Sequence, residues 1–442
     1  MAGHAKAGKA GAGPGRFPAR PRGDKTARLL AMAQANFRHS FARGDWETAL
    51  GSTRAAMRLA PRAAGVWTDA AVCLLRLERW DEAIAHAARA VRLGDTGFAA
   101  LDAAAHACGS KRDWAGAREW GLRALTARDR AFAGEAATGS ALPPVPLPSA
   151  PSPATRARNF IAFSLFGADA KYCESAILNV GAAREVYPDW TCRFYIGGDV
   201  PGEVVGRLAG EGAEIVAVDA RLAHWPGPMW RFAACDERGL HRVLLRDADS
   251  VVSAREAGAV AEWIASGRPF HLMRDSGSHT ELVLAGLWGM VGGALTSPSS
   301  PQALPMRGMI ERFLAEGTPD RRFADQHFLR RFLWPQVRGR ALTHDSIFGF
   351  MDPLPFPDGP PPADFHVGYA EGSPRFTQDC GYPDGTVLDW RLHEGPRGEG
   401  KALTCRYRAQ AGGGKISAHL PARLARRLEA GEAALILTPA KE

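Results

Sequence analysis

Residues 242–250 read Arg-Val-Leu-Leu-Arg-Asp-Ala-Asp-Ser, an apolar run of strand length that leads directly into two carboxylates. A run of this kind is typical of a strand that is buried on both faces. Strands that alternate with helices predict an α/β domain with a mostly parallel sheet, in which ligands bind at the carboxyl ends of the strands. Asp247 and Asp249 stand at such an end. Three earlier runs with the same character, separated by helical spacing or turn residues, are 159–165, 191–196 and 214–218.

A different pattern precedes the strands. Tryptophan recurs every 34 residues, and an alanine three residues after each tryptophan keeps the same step. Thirty-four residues is the period of tetratricopeptide repeats, in which each unit is a helix–turn–helix. We expect the tryptophan to open the second helix and the small alanine to let two helices approach closely. The pattern predicts an all-α solenoid, and the alternative is a nonrepetitive helical bundle. The residues concerned are Trp46, Trp80, Trp114, Ala49, Ala83 and Ala117.

Changes in composition divide the chain into five predicted segments. Proline cannot continue a helix, and a proline-rich stretch is typical of a semi-extended spacer between domains. The segments are a disordered tail (1–24), a tetratricopeptide-repeat helical domain (25–133), a proline-rich linker (134–157), an α/β domain (158–369) and a small β-rich appendix (370–442).

Composition also bounds the class of protein. The net charge of +8 over 442 residues is modest and indicates no nucleic-acid-binding domain. The 7 cysteines are scattered without a C-x-x-C pair, which argues against a disulfide scaffold or a structural zinc site and favours a reducing compartment. The chain has no apolar run of about 18 residues and no signal-peptide pattern. We therefore expect a bacterial, cytoplasmic protein without a transmembrane segment.

The Asp-x-Asp pair carries the clearest chemistry. Carboxylates at i and i+2 point the same way while the chain stays extended. Asp247 and Asp249 could then hold one Mg²⁺ or Mn²⁺ against a diphosphate, because these cations prefer carboxylate and phosphate oxygens. A short acidic pair is common by chance, and the alternative is a solvated strand end. The position of the pair after the fourth strand favours the metal site.

From Asn159 to about Pro357 the chain resembles the GT-A nucleotide-diphospho-sugar glycosyltransferases, and in particular a bacterial group with attached tetratricopeptide repeats. The resemblance implies a Rossmann-like GT-A fold, a nucleotide-diphosphate sugar as donor, and Asp247 and Asp249 as the pair that binds Mn²⁺ or Mg²⁺. It leaves the sugar, the acceptor and the stereochemistry open. The stretches that carry it are 229–232, 246–250, 255–263, 270–275, 286–289, 325–329 and 344–346.

Four residues are candidates for binding the donor. The planar guanidinium of Arg231 suits phosphate oxygens, and the alternative is a surface arginine. The resemblance puts Ser164 where such folds hold the base or ribose, and the alternative is a turn residue. Trp288 offers a ring that could stack on a sugar, and Gly289 allows the backbone to approach a ligand closely. The alternative is that Trp288 belongs to the core.

Further candidates are catalytic residues or metal ligands. Asp275 could orient hydroxyls of the donor sugar, and His279 could lie near the acceptor; the alternative is a hydrogen-bonded loop. Asp325 is a candidate general base of the kind an inverting transferase needs, or else an N-cap. The resemblance makes His344 a candidate third metal ligand, with His366 as its rival.

Three functions are consistent with this sequence. The first is an active glycosyltransferase whose repeats position an acceptor, either a protein or an envelope glycan. The second is a repeat-based interaction module whose transferase domain binds nucleotide sugar without catalysis. The third, a nucleotidyltransferase, is disfavoured because residues 163–168 after the first strand do not form a glycine-rich phosphate loop.

Overall fold

The computed structural model describes residues 22–134, 145–296, 304–317, 323–362 and 365–440. Residues 1–21 of the predicted tail and residues 135–144 of the predicted linker lie outside the described residues. The chain divides into two compact units, Met1–Ala104 and Ala105–Glu442. Within the described residues, no helix has the length and apolarity needed to cross a membrane.

The first unit is built from antiparallel helix pairs. Trp46 begins α2 and Trp80 begins α4, as the repeat predicts. Ala49 and Ala83 have no exposed surface, which lets the helices of each pair pack closely. The Trp46 ring meets Phe41 of the preceding helix edge-on, with centroids 5.0 Å apart. The prediction of helical repeats is therefore confirmed. The helices are α1 (Arg22–Ala42), α2 (Trp46–Leu59), α3 (Ala64–Arg76) and α4 (Trp80–Arg92), followed by α5 (Ala99–Ser110), which contains the boundary between the units.

The second unit contains the third tryptophan helix, α6 (Trp114–Phe132). The Asp113 side chain caps this helix by accepting a hydrogen bond from the Gly116 amide at 2.9 Å. Ala117 is fully buried, as in the two earlier copies. The 34-residue repeat therefore runs through α6.

A seven-stranded sheet forms the body of the second unit. Its strand order is β3-β2-β1-β4-β6-β5-β7. Every neighbouring pair is parallel except those of β6, which is antiparallel to both β4 and β5. A helical repeat region is thus followed by an α/β domain with a mostly parallel sheet, as predicted. The strands are β1 (Asn159–Leu165), β2 (Thr191–Ile196), β3 (Glu214–Ala217), β4 (Arg242–Leu245), β5 (Phe270–Arg274), β6 (Trp288–Val291) and β7 (Ala341–Asp345).

Helices cover the sheet, and β1 and β4 are buried along their whole length. Strands buried on both faces read as continuous apolar runs rather than as alternating ones, which is why they were visible in the sequence. The segment from Gly227 to Asp236, which precedes β4, is a run of 3-10 turns rather than an α-helix. The helices are α7 (Ala170–Val186), α8 (Gly202–Gly210), α9 (Ala254–Ser266), α10 (Met306–Ala315), α11 (Ala324–Phe328) and α12 (Trp334–Val337), with a π-helical turn at Leu329–Leu333 between the last two.

The order of the strands creates one preferred place for a ligand. From β1 the chain moves outward through β2 to β3 and then returns to place β4 on the other side of β1. In open α/β sheets, ligands bind outside the carboxyl ends of the strands at such a switch point. The crevice between the ends of β1 and β4 is therefore the first place to look for a functional site.

The C-terminal segment is rich in β-structure and packs into the same core as the sheet. Trp390 and Tyr407 belong to one apolar cluster with Cys173 of α7. The buried Glu174 carboxylate accepts hydrogen bonds from the Cys405 amide and the Tyr407 hydroxyl, both at 2.7 Å. The segment is therefore bonded to α7. Its elements are β8 (Arg375–Asp379), β9 (Val387–Glu394), β10 (Tyr407–Gln410), β11 (Lys415–His419), α13 (Ala422–Glu429) and β12 (Ala433–Pro439).

Candidate functional site

Arg231 joins three of the predicted site residues at the switch point. Its side chain, 3% exposed, places Nη1 at 2.6 Å from Oδ1 of Asp247 and Nη2 at 3.1 Å from Oδ2 of Asp325. Its backbone amide donates to the Ser164 hydroxyl at 2.9 Å. Ser164 is the next-to-last residue of β1, Asp247 follows β4, and Asp325 lies in α11. One guanidinium thus connects three elements that are far apart in sequence.

Asp325 is the most perturbed carboxylate of this group. Burial raises its pKa to about 6, Arg231 opposes the rise, and the negative charge of Asp247 adds to it. Its Oδ1 accepts a hydrogen bond from the Gln326 amide at 2.8 Å. The residue that precedes α11 is Phe323, so Asp325 is not the N-cap considered as an alternative. A carboxylate with this pKa is suited to accept a proton near neutral pH.

Asp247 and Asp249 differ in their surroundings. The Asp247 side chain is 49% exposed, whereas that of Asp249 is 18% exposed and lies with Oδ2 at 3.3 Å from Nζ of Lys171. Burial raises the pKa of Asp249, the Asp247 charge raises it further, and Lys171 lowers it. Each aspartate is therefore paired with a cation of the chain, while Asp247 remains open to a ligand.

Asn179 of α7 holds the turn that carries the two aspartates. Its side chain is fully buried. The amide nitrogen donates to the carbonyl of Ser250 at 3.0 Å, and the amide oxygen accepts from the amide of Val252 at 3.0 Å. A buried polar group that satisfies its neighbours in this way fixes their backbone.

Gly286 and Arg246 close the inner side of the site. A Cβ on Gly286 would lie 2.1 Å from Oδ2 of Asp247, so a side chain at this position would displace that carboxylate from where it lies. Arg246 donates to the Gly286 carbonyl at 2.8 Å and pairs with the buried Glu256 at 2.5 Å. Burial raises the pKa of Glu256 to about 7, against the opposing effect of Arg246.

The polar cluster after β5 is internally bonded. Both oxygens of the fully buried Asp275 accept from the Arg255 guanidinium, at 2.7 and 2.8 Å. The Asp275 amide donates to Nδ1 of His279 at 2.9 Å, and the His279 ring packs edge-on against His366. Burial lowers the pKa of His279 well below its ordinary value, with His366 and Arg274 adding to the effect. The hydrogen-bonded loop considered as the alternative describes this arrangement.

The structure does not bring His344 together with the two aspartates. His344 lies on β7, three strands from β4, or roughly 14 Å across the sheet at about 4.8 Å per strand. Its ring nitrogens are 2.8 Å from Nε2 of His271 and 3.0 Å from Oε2 of Glu262. Among the residues that the structure describes, no group of three or more His, Cys, Asp or Glu side chains is arranged to hold a metal ion.

Trp288 and Gly289 lie inside the sheet. Trp288 has no exposed surface and contacts Phe232 edge-on, with ring centroids 5.9 Å apart. A Cβ on Gly289 would lie 2.8 Å from the Leu244 side chain, so this glycine allows β6 to pack beside β4. The position of Trp288 agrees with the alternative that it belongs to the core.

Sequence reasoning missed three residues of the site. Lys171 is the second residue of α7, the helix after β1, and this position near the carboxyl end of a strand was a signal that could have found it. The sequence indicates Gly286 only as one residue of the stretch 286–289. Asn179 carries no local signal, because an asparagine within a helix is unremarkable until the turn packed against it is known.

The sequence matches no family model, and no curated protein matches it. Solved structures are similar to parts of the chain. The TPR2B domain of yeast Sti1, in its pHsp70 complex, is 24% identical over 25% of this chain and 88% of that chain, with a TM-score of 0.23. The Arabidopsis OM64 TPR domain is 15% identical over 24% and 87%, with a TM-score of 0.23. A mutant Thermobaculum terrenum O-GlcNAc transferase is 13% identical over 50% of this chain and 46% of that chain, with a TM-score of 0.28.

Proposed function

We propose that this chain is a GT-A type glycosyltransferase that moves a sugar from a nucleotide-diphosphate donor to an acceptor. The single observation that carries the proposal is the contact of Arg231 with Asp247, Asp325 and Ser164 at the switch point of the sheet. This arrangement combines a cation for phosphate oxygens, a carboxylate open to a ligand and a carboxylate with a raised pKa. Those are the groups that sugar transfer from a diphosphate needs.

The two aspartates fit a divalent cation that is completed by donor oxygens. Mg²⁺ and Mn²⁺ are often held by one or two carboxylates together with substrate phosphates, and two carboxylates are what this turn offers. The negative charge of Asp247 raises the pKa of Asp249, so a cation shared by the two carboxylates would relieve their repulsion. Bound there, the cation would supply Lewis-acid stabilisation of the diphosphate leaving group. Arg231 and Lys171 would add positive charge on either side.

Asp325 is the residue we assign as general base. In an inverting transfer the acceptor hydroxyl gives its proton to the Asp325 carboxylate while its oxygen bonds to the anomeric carbon. The bond from that carbon to the diphosphate oxygen breaks, and its electron pair leaves with the nucleoside diphosphate. A pKa of about 6 keeps Asp325 ionised at pH 7 and still basic enough to take a proton.

The remaining candidates act, in this proposal, by positioning. Asp275 and His279 hold the backbone after β5, and His344 ties β7 to Glu262 of α9. Trp288 and Gly289 set the spacing between β6 and β4. The helical repeats would recruit the acceptor, a protein or a glycan, and raise its effective concentration at the site.

Thermal unfolding with a panel of nucleoside diphosphates, each with and without Mn²⁺, tests the proposal. A ligand that binds only the native state raises the midpoint, by an amount equivalent to about 2.7 kcal/mol at 100 times its dissociation constant. We expect a Mn²⁺-dependent rise with one nucleotide that Asp249→Asn abolishes. Asp379→Asn, which changes an aspartate 81% exposed on β8, is the matched control and should keep the rise.

Two results would separate the alternatives. No rise with any nucleotide would refute the donor site and leave the repeats as an interaction module. A rise without any release of nucleoside diphosphate from nucleotide sugars would favour donor binding without catalysis.

A further inference from the structure

The loop that joins β5 to β6, residues 275–287, runs from the last helices of the repeat series to the Asp247 carboxylate. At its outer end the loop backbone packs directly on α5. A Cβ on Gly109 would lie 2.7 Å from Cα of Gly277, and a Cβ on Gly277 would lie 2.8 Å from the Ala105 carbonyl. Helix and loop can approach this closely only because both positions are glycine.

Four residues further along, Glu281 connects the loop to α6. Its carboxylate lies 3.3 Å from Nη2 of Arg128, which is on α6 and 3% exposed, and 2.5 Å from Nη2 of Arg330. Charge pairs this well buried hold a defined geometry, because an uncompensated charge at such a depth is costly. The loop is therefore anchored to α6 by an ion pair as well as by packing on α5.

The middle of the loop is bonded to the sheet and to the helix that carries Asp325. Arg274 donates to the carbonyls of Glu281 and Leu282, at 3.1 and 2.5 Å. Gln326, the neighbour of Asp325, donates to the Val283 carbonyl at 2.6 Å and accepts from the Ala285 amide at 3.2 Å. A displacement of the loop would therefore be transmitted to α11.

At its inner end the loop places Gly286 against Asp247, as described for the site. Helix α6 itself is held on the same unit by a second anchor. Asp129 accepts from the Arg338 guanidinium at 2.7 and 2.9 Å and from the Trp334 indole at 2.9 Å. These hydrogen bonds hold α6 against the segment that contains Trp334 and Arg338, so α6 can support the loop.

We propose that the third helix pair of the repeat series, α5 from Ala105 onward and α6, is a structural part of the nucleotide site. Through the loop 275–287 it positions Asp247 and Asp325, and Glu281 is the positioning residue on the loop. The effect on donor binding depends on the proposed function, whereas the coupling of helix to loop can be measured without it.

Gly109→Ala and Gly51→Ala form a matched pair that tests the packing contact. Both replace a helical glycine, and a Cβ at Gly51 meets nothing within 4 Å. By helix propensity alone both changes should stabilise their helices. We expect Gly109→Ala to speed amide hydrogen exchange in residues 283–287 by about tenfold or more, because local protection follows packing. Gly51→Ala should leave exchange in that segment unchanged.

Glu281→Gln tests the ion pair with little change of shape, in case the added methyl at position 109 disturbs folding. Its control, Glu237→Gln, removes a carboxylate paired with Arg193, which is 8% exposed on β2. The second readout is the dissociation constant of the Mn²⁺ complex of the nucleoside diphosphate that binds best. We expect Glu281→Gln to raise this dissociation constant by about tenfold, because small misplacements of site groups reduce binding strongly. Glu237→Gln should leave it unchanged.

Unchanged exchange in residues 283–287 for both Gly109→Ala and Glu281→Gln would overturn the proposal. Faster exchange in a protein that binds no nucleoside diphosphate would support the coupling and refute the proposed donor site. The failure of one idea is thus distinguishable from the failure of the other.

Discussion

Asp325→Asn should stabilise the folded chain at neutral pH while it removes activity. Burial raises the pKa of Asp325 from 3.8 to about 6. At 1.36 kcal/mol for each pKa unit, keeping this carboxylate ionised in the folded state costs about 3 kcal/mol at pH values above 6. The asparagine amide is neutral and nearly isosteric, so the variant avoids that cost.

The sign of the pH dependence follows from linkage. The folded pKa lies above the unfolded one, so the wild-type protein loses stability as the pH rises from about 4 to about 6. The free energy of unfolding of Asp325→Asn should therefore exceed that of the wild type by about 3 kcal/mol at pH 8 and by about half as much at pH 5.

Urea unfolding of the full chain at pH 5 and pH 8, followed by tryptophan fluorescence, measures this difference. Asp379→Asn on the exposed face of β8 is the control and should show no gain at either pH. Transferase activity of Asp325→Asn should fall by a factor of about 10² to 10⁴, the range expected for loss of a general base. A variant that is less stable than the wild type at pH 8 would refute the argument that burial dominates at Asp325.

Three further predictions concern the turn after β4. Lys171→Met should raise the pKa of Asp249 further, because the lysine lowers it, so Mn²⁺ binding followed by calorimetry should require a higher pH than in the wild type. Gly286→Ala should weaken binding of a Mn²⁺–nucleoside diphosphate by about tenfold or more, because the methyl would displace the Asp247 carboxylate. Asn179→Ala should lower the free energy of unfolding by roughly 1–3 kcal/mol, since it leaves buried backbone groups unpaired.

The first two of these predictions have a matched control variant, and the third has an outcome that would contradict it. Arg184→Met removes an exposed ion pair on the same helix as Lys171 and should not move the pH dependence of Mn²⁺ binding. Gly206→Ala adds a methyl into open space on α8 and should leave nucleotide affinity unchanged. An Asn179→Ala variant with wild-type stability would show that Ser250 and Val252 do not depend on the amide.

Local patterns predicted the elements well because they depend on neighbouring residues. The spacing of Trp46, Trp80 and Trp114 sets the repeat through contacts within one helix pair. The strands β1 and β4 can be recognised in the sequence because strands covered on both faces are apolar throughout. The placement of an acidic pair after β4 also followed, since an aspartate that leaves a buried strand stands at the edge of the sheet.

The sequence did not predict in the same way which of the site residues lie close together. His344 follows an apolar run much as Asp247 does, yet β6 and β5 insert between β4 and β7 and carry His344 away from the aspartates. The sequence makes Trp288 a candidate ring for stacking on a sugar, but the order of the strands places it in the buried interior of the sheet. Arg231 looks like an ordinary surface arginine until its three partners, from distant segments, are placed around it.

By itself, then, the sequence determined the helical repeat, the α/β alternation and the acidic pair at a strand end, because each is encoded by residues close together in the chain. Only the tertiary structure decided that Arg231 connects Asp247 with Asp325, that Gly286 lies against the Asp247 carboxylate, and that α5 and α6 contact the β5–β6 loop. Those relations depend on strand order and on contacts between residues far apart in sequence, and a strand's own apolar pattern is the same wherever it lies in the sheet.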